Sequence, residues 1–191
     1  MLRHVEACNR FDPAGFRPFC IAGDPIGLVR PAAADFLTAR KLAQRVGNGV
    51  GIAGAAFLAL SRHLAEIVHG LAEAGLMAKQ RGELTPVMRQ WGHGAIAEID
   101  RAGLPSLGLP AYGVHVNGIV RAPSGIHLWV GRRAKDRLVA PGKLDHLVAG
   151  GIPSGLDAHA TVVKEAGEEA GIAPDVAAHA KPVAVVSYRM E

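Results

Sequence analysis

The stretch LDHLVAGGIPSGLDAHATVVKEAGEEAGI, residues 144–172, carries most of the information about the fold. It begins with an apolar run that ends at the glycine pair 150–151, a pattern that predicts a short strand. Asp157 then occupies the position of a helix N-cap, and the residues beyond it predict a helix over 158–170 that Gly171 ends. The stretch therefore predicts a strand, a glycine-rich loop and a helix in succession.

The loop is suited to bringing the backbone close to an anion. Glycines permit a close approach, and the amides at a helix N-terminus attract negative charge. The glycine spacing matches neither G-x-G-x-x-G nor a P-loop, and Lys164 is too far along the helix to act as a P-loop lysine. A Rossmann-type dinucleotide site is therefore not expected.

Three glutamates, Glu165, Glu168 and Glu169, fall on one side of the predicted helix. Like charges at this spacing repel one another, and in the last turn they also oppose the helix dipole. Gly167 lowers the helix propensity further. A hard divalent cation would offset this cost, because converging carboxylates are ligands that Mg²⁺ accepts. From the acids alone, the alternative is a solvated and frayed helix end.

The run from Gly150 to Ile172 resembles the Nudix box, G-x5-E-x7-R-E-U-x-E-E-x-G-U, in which U is aliphatic. The E-x-x-E-E-x-G core is present, whereas Leu156 replaces the first glutamate and Lys164 replaces the arginine. Lysine pairs with a carboxylate, although not bidentately. Leu156 removes an acid that supports the metal cluster, which leaves the number of ions open.

The residues around the box resemble the thiamine-pyrophosphokinase-related Nudix subfamily, whose members carry an additional N-terminal domain and commonly lack the first box glutamate. The resemblance covers about residues 1–37 and 96–191. The stretches that carry it are 4–9, 17–19, 27–31, 115–118, 144–151 and 187–191.

The resemblance implies Mg²⁺-dependent hydrolysis of a diphosphate linkage, with Mn²⁺ as an alternative ion. The expected substrate is a small organic diphosphate such as thiamine diphosphate or a damaged analogue. Glu168 and Glu169 would be catalytic metal ligands, one of them also the base for the attacking water. Glu165 would be a further metal ligand or would hold the other two glutamates, and the Gly150 carbonyl would complete the metal site.

The substrate contacts are expected just before the box. Arg132 and Arg133 are candidates for the phosphates, and only one of two successive strand residues can face a pocket. The other candidates, each with a structural role as its alternative, are His115, Asn117, Gly151 and Trp129. Basic residues predominate over 111–150 and acidic residues over 151–191, which suits a metal-bridged diphosphate or, alternatively, two solvated faces.

The chain as a whole predicts two domains of a mixed α+β or α/β class. Its 191 residues are 49% hydrophobic and 20% charged, as in ordinary globular proteins. The segment 103–110, rich in glycine and proline, marks the boundary. We expect a small α+β accessory domain over 1–105 and a Nudix α/β/α sandwich with a mixed sheet over 106–191. Few residues follow Ile172, so this sandwich is expected to be C-terminally truncated, with exposed sheet edges that favour a homodimer.

The remaining elements follow from local patterns. Helices are predicted over 31–46 and 55–76, the second with an apolar stripe facing a core. The predicted strands are 18–22, 26–29, 111–120, 126–132, 144–149 and 182–187, with a hairpin between 111–120 and 126–132.

Other function classes are disfavoured. The uncharged stretch 46–61 is broken by glycines and is shorter than the about 18–20 apolar residues of a membrane span. Acidic residues interrupt the N-terminus where a secretory signal is apolar, and Cys8 and Cys20 match no zinc spacing or disulfide framework, so a cytoplasmic location is expected. A net charge of +4 and 5% aromatic residues argue against a nucleic-acid partner.

A second hypothesis stands beside the hydrolase. Leu156 and Gly167 would suit a non-enzymatic binding or regulatory protein on a Nudix scaffold. Tight ligand binding without turnover at saturating Mg²⁺ would favour that interpretation.

Overall fold

The computed structural model describes residues 3, 6–7, 10–136 and 140–189. Cys8, Arg137 and the end of the chain at 190–191 lie outside the described residues, as do most of the residues of the 4–9 motif. The chain forms two compact units, one ending at Pro110 and also including the segment from Val183, the other running from Ala111 to Pro182. Both contain helices and strands, so the mixed α/β fold class is confirmed.

A four-stranded mixed sheet lies at the centre of the first unit. Its strands are β1 (Arg17–Ile21), β2 (Asp24–Val29), β3 (Gln44–Val46) and β4 (Gly49–Ile52). The order is β2-β1-β4-β3, with β1 parallel to β4 and the other neighbours antiparallel. Ala22 and Gly23, with φ of 55° and 86°, form the tight turn between β1 and β2. A separate antiparallel pair consists of β5 (Leu84–Val87) and β6 (Ala97–Asp100).

The helices of the first unit are α1 (Pro31–Ala39), α2 (Phe57–Glu73) and the short α3 (Gly103–Leu107). The predicted apolar stripe of α2 is confirmed, because all five of its members are buried: Leu60, Leu64, Ile67, Val68 and Leu71. They pack with β1, α1 and β6 into one core. Cys20 is a buried free thiol in this unit.

The predicted helix over 31–46 is too long. The helix ends at Ala39, and the amides of Leu42 and Ala43 turn back to the Leu37 carbonyl. Lys41 adopts a left-handed φ of 58°, which stops the helix. The residues that follow pair with β4 as β3 instead.

Antiparallel strand pairs and two helices make up the second unit. The pairs are β7 (Gly113–Val116) with β12 (Val148–Gly151), β8 (Gly118–Ala122) with β9 (Gly125–Trp129), and β10 (Gly131–Arg132) with β11 (Leu144–Asp145). The helices are α4 (Ala158–Ala170) and α5 (Pro174–Ala177). Their small core contains Val148, Ala166 and Ala177.

The predicted hairpin is confirmed as β8 and β9, but the longer predicted runs are divided. The run 111–120 is interrupted at Asn117, and 144–149 is interrupted between β11 and β12.

The strand predicted over 182–187 is wrong, because residues 181–189 have no regular structure. Val183 is 91% exposed and Val186 is 79% exposed. An apolar run becomes a strand only where a neighbour pairs with it, and within the described chain none does. In the described ranges no helix is both long and apolar enough to span a membrane.

Candidate functional site

The acidic helix α4 is fixed at both ends by local interactions that the sequence predicts. The Asp157 side chain accepts a hydrogen bond from the Ala160 amide at 2.7 Å, as an N-cap does. The buried Thr161 hydroxyl donates to the Asp157 carbonyl, also at 2.7 Å. Gly171 ends the helix with a left-handed φ of 63°.

Gly150 and Glu165 are in direct contact where α4 packs on β12. A Cβ atom at position 150 would lie 2.4 Å from Glu165 Cδ, so a larger residue would displace the carboxylate. The Glu165 side chain is only 15% exposed. The Glu165 carboxylate therefore lies against the backbone at Gly150.

Glu169 joins the helix to the same strand. Its Oε2 accepts a hydrogen bond from the Ala149 amide at 2.9 Å. Ala149 lies opposite His115 in the β7–β12 pair. The last turn of α4 is thereby held against the strand that precedes the glycine-rich loop.

Lys164 neutralises the other two carboxylates. Its Nζ donates to Glu168 Oε2 at 2.8 Å and to Glu165 Oε1 at 3.1 Å. The hydrogen bonds to Glu168 and then Glu165 raise the pKa of Lys164 above its usual range. The ammonium group of Lys164 thus offsets the repulsion expected among the glutamates. The position of Lys164 at the arginine of the box indicated pairing with a carboxylate, but not which carboxylates it contacts.

The glutamates of α4 are the candidate ligands for a divalent cation. Within the described residues, no three His, Cys, Asp or Glu side chains are grouped so that they could hold a metal. Glu165 and Glu168 nevertheless share one positive charge, the Lys164 ammonium, and their oxygens are the donors that Mg²⁺ prefers. The donor types therefore suit a hard cation, whereas in this structure Glu165 and Glu168 are bonded to Lys164 instead.

Both arginine candidates bond to protein groups. Arg133 Nη1 donates to Asp145 Oδ2 at 2.7 Å, and Arg132 Nη1 donates to the Gly142 carbonyl at 3.2 Å. The hydrogen bond from Arg133 is the main reason that the pKa of Asp145 lies below its usual range. Gly151 ends β12 opposite Gly113, beside the acidic helix.

Asp145 and His146, which the sequence did not single out as site residues, lie beside the predicted site residues Arg133 and His115. The ring of His146 lies 4.6 Å from the ring of His115, and the His146 amide donates to Asp145 Oδ1 at 2.9 Å. Desolvation, followed by the neighbouring His146, lowers the pKa of His115 although Asp145 opposes the shift. The only sequence signal for this pair was the position of Asp145 and His146 just before the glycine pair.

A shallow cavity of about 210 Å³ lies next to the histidines. It includes two residues predicted to line a pocket, Asn117 and Trp129. The other lining residues are Leu128, Val130, Leu144, Asp145 and His146.

Comparison with known proteins identifies a matching family and related proteins. Residues 1–111, more than half of the chain, match the family described as "Domain of unknown function (DUF4743)". Nudix hydrolase 24, chloroplastic, of Arabidopsis thaliana is 42% identical over 128 residues, which is 67% of this chain and 35% of that protein. Nudix hydrolase 20, chloroplastic, of the same plant is 39% identical over 128 residues, 67% of this chain and 34% of that protein.

An uncharacterized protein of Saccharomyces cerevisiae is 38% identical over 80 residues, 41% of this chain and 23% of that protein. The chain spans about a third of the length of the two plant relatives. It belongs to the family described as "Domain of unknown function (DUF4743)" and is related to proteins named Nudix hydrolases.

Proposed function

We propose that the chain acts in Mg²⁺-dependent hydrolysis of a diphosphate linkage, with thiamine diphosphate or a damaged analogue as substrate. The observation that supports this most is the acidic face of α4, whose Glu165 packs on Gly150 and whose Glu169 is bonded to the adjacent strand. The names of the two plant relatives point in the same direction. Residues 106–191 would form the hydrolase domain and residues 1–105 an accessory domain.

Glu165, Glu168, Glu169 and the Gly150 carbonyl would hold the ion, either Mg²⁺ or Mn²⁺. When bound, the ion supplies positive charge that stabilises the phosphate oxygens in the transition state. Glu168 or Glu169 takes the proton of the attacking water. Glu168 is the more accessible of the carboxylates that Lys164 contacts, with its side chain 59% exposed against 15% for Glu165.

Lys164 holds Glu165 and Glu168 in place before the ion binds. A lysine with a raised pKa stays charged at neutral pH, so it keeps the two carboxylates together. Because the pairs are largely exposed, the energetic contribution of each is small. Their value is in orienting the acids along one edge of the helix.

The first prediction tests the roles of Glu168 and Glu169. Glu168→Gln and Glu169→Gln are each expected to lower Mg²⁺-dependent phosphate release from thiamine diphosphate by orders of magnitude, because an amide neither binds the cation well nor accepts the proton. Glu66→Gln, an exposed position on α2, is the control and should retain wild-type activity. Equal release by all four proteins would remove the site assignment.

A binding protein without turnover is the second candidate. Leu156, 37% exposed, stands at the first acidic position of the box, and Lys164 already neutralises two of the acids. Saturable binding of thiamine diphosphate with no product at saturating Mg²⁺ would favour this candidate over the hydrolase.

A further inference from the structure

The cavity lined by Trp129 is suited to binding the organic group of a ligand. Trp129 ends β9 opposite Gly118, and its side chain remains 63% exposed. A Cβ atom at Gly118 would lie 2.6 Å from Leu147 Cδ2 and 3.2 Å from Trp129 Cβ. The absence of a side chain at position 118 therefore lets the Leu147 and Trp129 side chains pack against the backbone of Gly118. An accessible indole face at a cavity is a stacking surface for planar rings.

The polar wall of the cavity is held in place by its own contacts. Both oxygens of Asp145 are engaged, one by Arg133 and one by the His146 amide. The His146 ring lies against the His115 ring, which restricts its orientation. Asn117 adds an amide with both a donor and an acceptor. These groups suit ring nitrogens and exocyclic amines.

A phosphate group does not suit this cavity. The lining residues include no lysine or arginine. Arg133 is paired with Asp145, and Arg132 bonds to the Gly142 carbonyl. An anion would therefore meet the Asp145 carboxylate and apolar side chains, and Arg133 is already paired with that carboxylate.

The cavity and the acidic helix share one pair of strands. His115, which packs on the cavity residue His146, lies opposite Ala149, and the Ala149 amide is bonded to Glu169. The strand pair of β7 and β12 therefore contacts both the histidine pair beside the cavity and the acidic helix.

We propose that a planar nitrogen heterocycle, the organic group of the diphosphate substrate, binds in this cavity by stacking on Trp129 and hydrogen bonding to Asn117 and His146. The inference rests on the proposed function for the identity of the substrate. The binding itself does not require the metal or the cleavage step.

Tryptophan fluorescence tests this site directly, because the chain has two tryptophans. In Trp91→Phe, thiamine monophosphate without Mg²⁺ is expected to quench the emission of Trp129 saturably. In the matched Trp129→Phe protein, the remaining Trp91 should not respond. Inorganic diphosphate, which has no ring, should leave the Trp129 emission unchanged.

Substitutions in the wall separate stacking from hydrogen bonding. In the Trp91→Phe background, Asn117→Ala and His146→Ala are each expected to weaken binding by about three- to tenfold, the value of one hydrogen bond. By equilibrium dialysis, Trp129→Phe should retain most of the affinity for thiamine monophosphate and Trp129→Ala should lose more than tenfold. Circular dichroism that matches the parent protein serves as the folding control.

The outcomes distinguish the site from the reaction. If thiamine diphosphate is hydrolysed but thiamine monophosphate neither quenches Trp129 nor loses affinity on Trp129→Ala, the site is wrong and the function stands. Saturable quenching with no hydrolysis supports the site and rejects the hydrolase. Quenching of Trp91 alone, or equal quenching by inorganic diphosphate, overturns the site.

Discussion

At the scale of single residues, Lys164 explains how three glutamates are tolerated in the last turn of α4. Each like-charged pair costs about 0.2–0.5 kcal/mol in an isolated helix. The lysine contacts Glu165 and Glu168, while the Ala149 amide donates a hydrogen bond to Glu169. The sequence predicted a divalent metal ion as the balancing charge, and in the structure the ammonium group of Lys164 lies beside two of the three acids. Residue type and spacing alone could not show which partner each acid takes.

In the first unit, Asp100 is a buried acid whose carboxylate is also bonded to backbone amides. Its carboxylate, in a residue only 8% exposed, accepts hydrogen bonds from the amides of Arg81, Gly82 and Ala102. Burial raises its pKa, but the bonds from Ala102, Arg81 and Gly82 together outweigh that effect and lower it. The side chain therefore ties the chain before β5 to the turn after β6.

Asp100→Ala is expected to reduce the free energy of unfolding by about 2–3 kcal/mol, because three amides lose their acceptor. Asp35→Ala, which removes only an exposed ion pair with Arg17, should cost less than about 1 kcal/mol. Urea unfolding measures both. A loss in Asp100→Ala no larger than in the control would contradict this role.

Asp100 also makes the free energy of unfolding depend on pH. Since the folded pKa of Asp100 is lowered, its contribution is fully present above the unfolded value of 3.8 and is lost as the pH falls through the folded value. The difference in stability between wild type and Asp100→Ala should therefore narrow below about pH 4. A constant difference at lower pH would exclude the ionised form as the source.

At the scale of elements, prediction succeeded where the signals were local. The ends of α4 follow from Asp157 and Gly171, and the buried stripe of α2 follows from its spacing. The helix predicted over 31–46 was too long because the turn at Lys41 and the pairing of β3 with β4 are tertiary features. The strand predicted over 182–187 failed for a similar reason, since pairing depends on a neighbour that an apolar run does not specify.

The contribution of the α4 N-cap can be measured. Asp157→Ala is expected to lower the free energy of unfolding by about 1 kcal/mol, because the Ala160 amide loses its acceptor. Asp157→Asn keeps an acceptor oxygen at this position and should cost much less. The Thr161 hydroxyl bonds to the Asp157 backbone carbonyl and is unaffected in both variants. Equal losses in the two variants would show that the cap bond is not the source.

At the scale of the whole molecule, the two units have cores of different size. The first contains a large cluster of buried side chains from its sheet and helices, whereas among the described residues the core cluster of the second has three buried members, Val148, Ala166 and Ala177. Apolar burial stabilises by about 25 cal/mol per Å², so the second unit has less to offset its chain entropy. The hairpin of β8 and β9 also leaves large apolar side chains exposed, among them Ile126 at 66% and Leu128 at 58%.

The second unit is therefore expected to unfold before the first, in two separate transitions. Trp129 in Trp91→Phe reports on the second unit, and Trp91 in Trp129→Phe reports on the first, so the Trp129 midpoint in urea should lie at the lower concentration. Asp157→Ala should move only the Trp129 transition, and Asp100→Ala only the Trp91 transition. Coincident midpoints that both substitutions shift together would mean that the chain unfolds as one cooperative body, because each substitution would then act on the shared transition.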